Sequence, residues 1–85
     1  MPEVKLPREG DWITVDGTED KISATQNGKV YFGYDNGCLV QEAEMEHLTE
    51  KEEGGTWEVS SDLVTSIDVR SLMVIMRKKI TGTLQ

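Results

Sequence analysis

Two Asn-Gly pairs, Asn27-Gly28 and Asn36-Gly37, bracket the run Lys29 to Asp35, and nothing else in the chain limits the fold so sharply. A two-residue hairpin turn of type I′ needs positive φ at both central positions, which Asn and Gly accept at little steric cost. The bracketed run holds Val30, Tyr31, Phe32 and Tyr34, residue types that suit a pleated, half-buried surface. Lys21 to Gln26 upstream and Cys38 to Ala43 downstream then complete a three-stranded antiparallel meander. Around the first turn Gln26 pairs with Lys29, which sets Ala24 opposite Tyr31. Around the second, Asp35 pairs with Cys38, and Tyr34 stands opposite Leu39. One face of the central strand then carries Val30, Phe32 and Tyr34. The other carries Tyr31 beside Ala24, and Gly33 beside Ile22 and Val40. A sheet with one wet face alternates more cleanly than this. Apolar residues on both faces imply a curled sheet or small barrel with another element packed on it, and Gly33 suits a bend or bulge at a corner.

Outside the meander the signals are shorter. The first nine residues carry two prolines and little pattern, and read as a loose arm. Asp11 to Val15 is β-branched and aromatic, ends at Asp16-Gly17, and reads as a strand. Asp16 to Asp20 reads as an acidic turn of solvated carboxylates without the ligand spacing of an EF-hand loop. Glu42 to Leu48 either continues the last strand or begins a short turn. Residues 49–55 form an acidic, glycine-ended loop, and Thr56 to Ser60 alternates as a further strand. In the last third, Ser61-Asp62 could cap a helix over Leu63 to Lys79. Apolar residues fall all round that wheel, however, and many are β-branched, so two strands, Val64–Arg70 and Leu72–Lys79, are preferred to one helix. Leu72 to Met76 is too apolar for an exposed edge, and is a central strand, a buried helix turn or a surface that pairs with another chain, which would make a homodimer.

The chain has 85 residues, one domain's worth, and a net charge of −7. Between Gln41 and Asp62 stand eight acids against Lys51 alone. Such a field repels DNA and anionic membranes, so direct nucleic-acid binding is not expected. The Arg77-Lys78-Lys79 cluster is a local exception, read as a solvated edge. The longest apolar run is too short to span a bilayer, and Met1 to Pro7 has no signal-peptide h-region. Cys38 is the single cysteine, which fits a reducing, cytoplasmic setting.

The chemistry of catalysis is thin. His47 is the one histidine, and no nucleophile elbow or glycine-rich phosphate loop is present. One Cys and one His cannot build a four-ligand structural zinc site. No catalytic residue, metal site or cofactor is therefore assigned. Of the aromatics Trp12, Tyr31, Phe32, Tyr34 and Trp57, most should build the core of so short a chain. Should some line an exposed groove, the neighbouring acids Asp35 and Glu42 would let it hold a cationic or peptide ligand through cation–π and charge contacts.

The stretch Val30-Tyr31-Phe32-Gly33-Tyr34-Asp35-Asn36-Gly37, followed by Val40 and Leu48, resembles the core of SH3-like small β-barrels, including Tudor-type modules. Gly10-Asp11-Trp12-Ile13-Thr14-Val15 resembles the opening strand of such barrels. The resemblance covers Gly10–Leu48, and the long Leu63–Gln85 segment departs from a minimal barrel. It implies that Trp12, Tyr31, Tyr34 and Asp35 are cage-like binding residues. The expected architecture is thus mainly β: a small antiparallel SH3-like barrel or curled meander over residues 10–48. A C-terminal β-hairpin, or a single helix, within residues 56–85 packs on it. The expected function is a non-enzymatic binding module that docks a protein or peptide segment with a basic surface. The alternative is an acidic, nucleic-acid-mimicking inhibitor or accessory protein of phage or mobile-element type.

Overall fold

The computed structural model describes residues 5–35, 38–52 and 54–74. At the first Asn-Gly pair the backbone does what the sequence requires, with Asn27 at φ 50° and Gly28 at φ 75°. The strands that leave this turn, β2 (Thr18–Gln26) and β3 (Lys29–Asp35), pair Gln26 with Lys29 and Ala24 with Tyr31, as expected. Residues 36 and 37 of the second pair lie outside the described residues. Past them β4 (Leu39–Glu44) pairs with β3. From Lys29 to Phe32 the expected register holds, with Phe32 facing Gln41, and beyond Gly33 it differs by one: Asp35 faces Leu39, not Cys38. Gly33 causes the change. It sits at φ 64° inside β3, where the pairing slips between Phe32 and Asp35, and so supplies the bulge its position suggested.

Asp16-Gly17, which the sequence marks as a turn, is one of the same class as Asn27-Gly28, at φ 49° and 85°, and Thr18 to Asp20 after it are strand rather than acidic turn. The turn joins β1 (Trp12–Val15) to the first half of β2. A 3₁₀ turn at Met45–His47 follows β4, so the strand ends and a turn begins within the segment 42–48. Thr49–Glu52 is then a strand, β5, where an acidic loop was expected. It pairs with β6 (Thr56–Val59). β6 lies parallel to β1, with Ile13 beside Trp57, so the sheet is mixed and not purely antiparallel. Its order is β5-β6-β1-β2-β3-β4-β7, with β5 and β7 as separate ends, and it does not close into a barrel.

The C-terminal hairpin is replaced by one strand and a helix. A short 3₁₀ turn at Ser61–Leu63, capped by Ser60, leads into β7 (Val64–Asp68), which pairs with β4. Residues 69–74 are helical and form α1. The Asp68 carboxylate accepts the Arg70 N–H at 2.7 Å, the bond of a helix N-cap. A carboxylate at this position ends the strand that the β-branched residues favour, and the helix begins six residues later than the Ser61-Asp62 signal placed it. The rest of the Leu72–Lys79 segment, from residue 75, lies outside the described residues. Among those described, no helix is long and apolar enough to cross a membrane.

Two clusters hold the sheet. Ile13, Ile22, Val30, Phe32, Ala43, Leu48, Trp57 and Val59 form the larger one. Ala24, Tyr31, Val40 and Val69 form the smaller, against which Ile67 and Leu72 pack. They occupy opposite faces of β3, because Val30 and Phe32 alternate with Tyr31. Ile22 therefore belongs with Phe32, its cross-strand partner, and not with Tyr31 and Val40. Ser23 is the extra residue that moves it: pairing slips between Ile22 and Ala24, so two residues that would share a face enter different clusters.

Gly33→Ala tests the bulge. A Cβ there would stand 3.1 Å from the Gln41 amide nitrogen in a left-handed backbone. Chemical denaturation should show a loss of about 1–3 kcal/mol, and Gly33→Asn, which tolerates that conformation better, should lose less.

Candidate functional site

The five expected binding residues do not converge. Tyr31 is a core residue, 1% exposed, so its ring is not available to a ligand. Trp12 is partly exposed on β1, and Lys21, its cross-strand partner, holds its ammonium 5.9 Å from the indole centroid. Tyr34 is 60% exposed beside the bulge on β3. Asp35 ends that strand, and its side chain lies outside what is described. Glu42 is half-buried and stands opposite Tyr31. The pair that does come together is thus Tyr31 with Glu42, joined by Lys29, whose Nζ is 3.7 Å from the Glu42 carboxylate. Burial, and then the hydrogen bond and negative charge of Glu42, push the Tyr31 hydroxyl up to about 12.

A cleft of about 760 Å³ lies elsewhere, between the N-terminal arm and the β5–β6 end of the sheet. Leu6, Pro7, Met45 and Trp57 give it an apolar lining, and Lys5, Arg8, Asp11 and Glu50 give it charge. Asp11 builds its wall. Its Oδ2 accepts the Arg8 N–H at 3.0 Å and the Trp57 Nε1–H at 3.0 Å, while the Asp11 N–H donates to the Arg8 carbonyl. The arm is therefore not loose from Lys5 onward: Pro7 is buried, and Gly10 donates to the Ile22 carbonyl. Gly55 lets β6 approach, since a Cβ there would meet Asp11 Oδ1 at 2.7 Å.

Glu50 is the chemically unusual member. Its Oε2 is sealed from solvent and accepts no hydrogen bond among the described residues. The Lys5 ammonium stands 3.5 Å away, on a side chain that is largely exposed. With Lys5 at 3.5 Å and its side chain largely exposed, this buried oxygen keeps a lone pair with which it can accept a hydrogen bond from a charged donor. The sequence offered little to find it. Leu6 to Arg8 lack periodicity, and Glu50 is one acid among eight in its stretch.

Two other clusters bear on chemistry. Glu44, Glu46 and His47 bring one ligand atom each within 4.8 Å of one another. Glu44 ends β4 and the other two lie in the turn after it, and no hydrogen bond among the described residues orients them, so they carry no site. Cys38 and His47 lie beyond opposite ends of β4, whose six residues span about 20 Å, so they do not form a nucleophile–base pair.

No protein-family model, curated protein or solved structure matches the chain.

The burial of Tyr31, reinforced by its contact with Glu42, makes stability depend on alkaline pH. The folded state holds the Tyr31 proton more tightly than the unfolded chain, whose tyrosines titrate near 10. Neutral Tyr31 thus contributes stability that is complete below about pH 10 and is lost as pH rises towards about 12, on the order of 2–3 kcal/mol. Urea denaturation across this range should show the loss in the wild type and a flatter profile in Tyr31→Phe. Removing Asp11 has a different signature. Asp11→Ala leaves the Trp57 N–H without its acceptor and should cost about 1–3 kcal/mol, with faster proteolysis of the arm.

Proposed function

We propose that the chain is a non-enzymatic docking module that receives a basic side chain of a protein or peptide in the cleft between its arm and the β5–β6 end. The observation that carries this reading is the solvent-sealed Oε2 of Glu50, ion-paired to Lys5 at 3.5 Å but accepting no hydrogen bond among the described residues, beside an apolar lining. Lys5 occupies that oxygen weakly and stands in for the guest cation. A guest Lys or Arg would displace it, make the charge-assisted hydrogen bond that Lys5 does not, and lay its aliphatic stem against Leu6, Met45 and Trp57. The net charge of −7 would steer basic partners towards the molecule before contact. In this reading Trp12 and Tyr34 are surface aromatics outside the cleft, and Glu42 serves the Tyr31 contact.

Selection of peptides from a displayed random library against the folded protein tests this. Enriched sequences should carry Arg or Lys, and their affinity should fall roughly tenfold or more in Glu50→Gln. Trp12→Ala and Tyr34→Ala should leave it unchanged. Peptides that bind Glu50→Gln as well as the wild type would defeat the cleft assignment. If binding then weakened steeply with salt for any basic polymer, charge mimicry by the acidic 41–62 stretch would be the better reading.

A further inference from the structure

The two ends of the sheet are protected unequally. β5 reads Thr-Glu-Lys-Glu and its pairing slips between Glu50 and Glu52; charge and a bulge together deter a further strand. β7 reads Val-Thr-Ser-Ile-Asp, is regular in register, and has no charge before its last residue. Among the described residues, no strand pairs with its outer side.

The outward main-chain groups of β7 can be named. Val69 donates to the Cys38 carbonyl at 3.0 Å. Bonded and non-bonded pairs alternate along an antiparallel ladder, so Ile67 with Val40 and Thr65 with Glu42 are the bonded pairs of β7 and β4. Met45 donating to Gly28 sets the opposite phase on the β3 side of β4, as that geometry demands. The main chains of Val64, Ser66 and Asp68 therefore point away from the sheet. Of these groups the Val64 N–H is already bonded to the Ser61 carbonyl. The Asp68 carbonyl accepts the first bond of α1. Four groups remain: the Val64 carbonyl, the N–H and carbonyl of Ser66, and the Asp68 N–H.

These four are complementary to themselves. We propose that β7 pairs antiparallel with β7 of a second copy of this chain, about a two-fold axis at Ser66. Each Ser66 N–H then donates to the partner's Ser66 carbonyl, and each Asp68 N–H to the partner's Val64 carbonyl. All four outward groups of each copy are satisfied, and the two groups already bonded internally face each other without need of a partner. Thr65 stands opposite the partner's Ile67, a β-branched pair of the kind that stabilises neighbouring strands. Asp68 stands opposite the partner's Val64, so no like charges meet. Asp62, in the 3₁₀ turn before β7, and Arg70, in α1 after it, are both exposed and equally far in sequence from Ser66, so the two-fold axis sets an Asp62 and the partner's Arg70 at each end of the paired strands. A contact complementary about its own midpoint is what an isologous dimer requires, and the side chains it sets opposite one another, with an acid and a base at each end, favour a second copy over a foreign strand.

Sedimentation equilibrium and amide hydrogen exchange on the full chain test this together. The weight-average mass should rise from 9.5 kDa towards twice that value with concentration. The Ser66 and Asp68 amides should gain protection over the same range. Ser66→Pro removes the central donor at an outer edge position that a folded monomer tolerates, and should weaken the dimer roughly tenfold or more. Should that variant unfold, charge reversal decides. Asp62→Lys and Arg70→Glu should each weaken the dimer, and the two combined in one chain should restore it. A mass that stays at the monomer up to the highest attainable concentration would overturn the proposal. So would a dimer indifferent to these substitutions, or edge amides whose protection does not change with concentration.

Discussion

The architecture turns on one strand serving two halves of the sheet. The first half of β2 pairs with β1 and the second with β3, and the extra residue Ser23 stands close to the change. Without it, Ile22 and Ala24 would point the same way, and the β5-β6-β1 half would extend flat from the β3-β4-β7 half. With it, Ile22 turns into the same cluster as Ile13, Trp57 and Phe32, which come from both halves. The sheet thus curls over its own core while keeping two free ends. The second face of β3, left apolar by Tyr31 and Ala24, is covered by the start of α1 through Val69 and Leu72. Each of these side chains removes enough apolar surface to contribute roughly 1.5–3 kcal/mol where fully buried, Ala24 less.

Asp11 performs the equivalent service for the polar part of the structure. One carboxylate oxygen receives donors from the arm and from a tryptophan 46 residues away, while the other lies against the bare Cα of Gly55. The parallel β1–β6 pairing brings these groups together, and the bonds hold β6 in place in return. Glu50 differs from Asp11 only in being left incomplete. Both are acids at the border of the same apolar surface, yet one accepts two hydrogen bonds and the other has at its sealed oxygen only the long ion pair with Lys5. Structural roles account for the first and not for the second, which is why the cleft, and not the exposed aromatics, carries the functional reading.

How much of this could be read from the residues varies with the range of the interaction. Asn27-Gly28 fixed its turn and register because the determinant is local, and Gly33 announced its bulge for the same reason. Asp16-Gly17 is the same kind of signal, but Thr18, Glu19 and Asp20 after it are polar. They are strand residues held by pairing with β1 rather than by burial, so the usual alternation is missing. Thr49–Glu52 is hidden in the same way, as a charged edge strand. The parallel partnership of β1 and β6 has no local mark at all. At the C-terminus the β-branched residues correctly indicated a strand as far as Ile67. The helix after it depends on one cap, Asp68, which reads equally well as the polar member of an alternating strand. For the site, periodicity favoured the aromatic strand β3, whereas Tyr31 there is core. The cleft is assembled from an aperiodic arm, two glycines and the two acids Asp11 and Glu50, a combination that exists only once β1 and β6 are side by side.

The two ends of the sheet then acquire different tasks. The cleft belongs to the β5–β6–β1 end and the self-complementary edge to β7, with the width of the sheet between them. Pairing through β7 would leave both clefts outermost on one continuous sheet and expose them together. Two weak sites held at a fixed separation bind a partner with two matching basic segments far more tightly than either site alone, because the second contact forms at a high effective concentration. A shallow cleft on a small domain gains little affinity from area, and duplication is a route to a useful one that requires no larger core. The charged, bulged β5 edge complements this arrangement, since it deters the strand-by-strand growth that two open edges would otherwise permit.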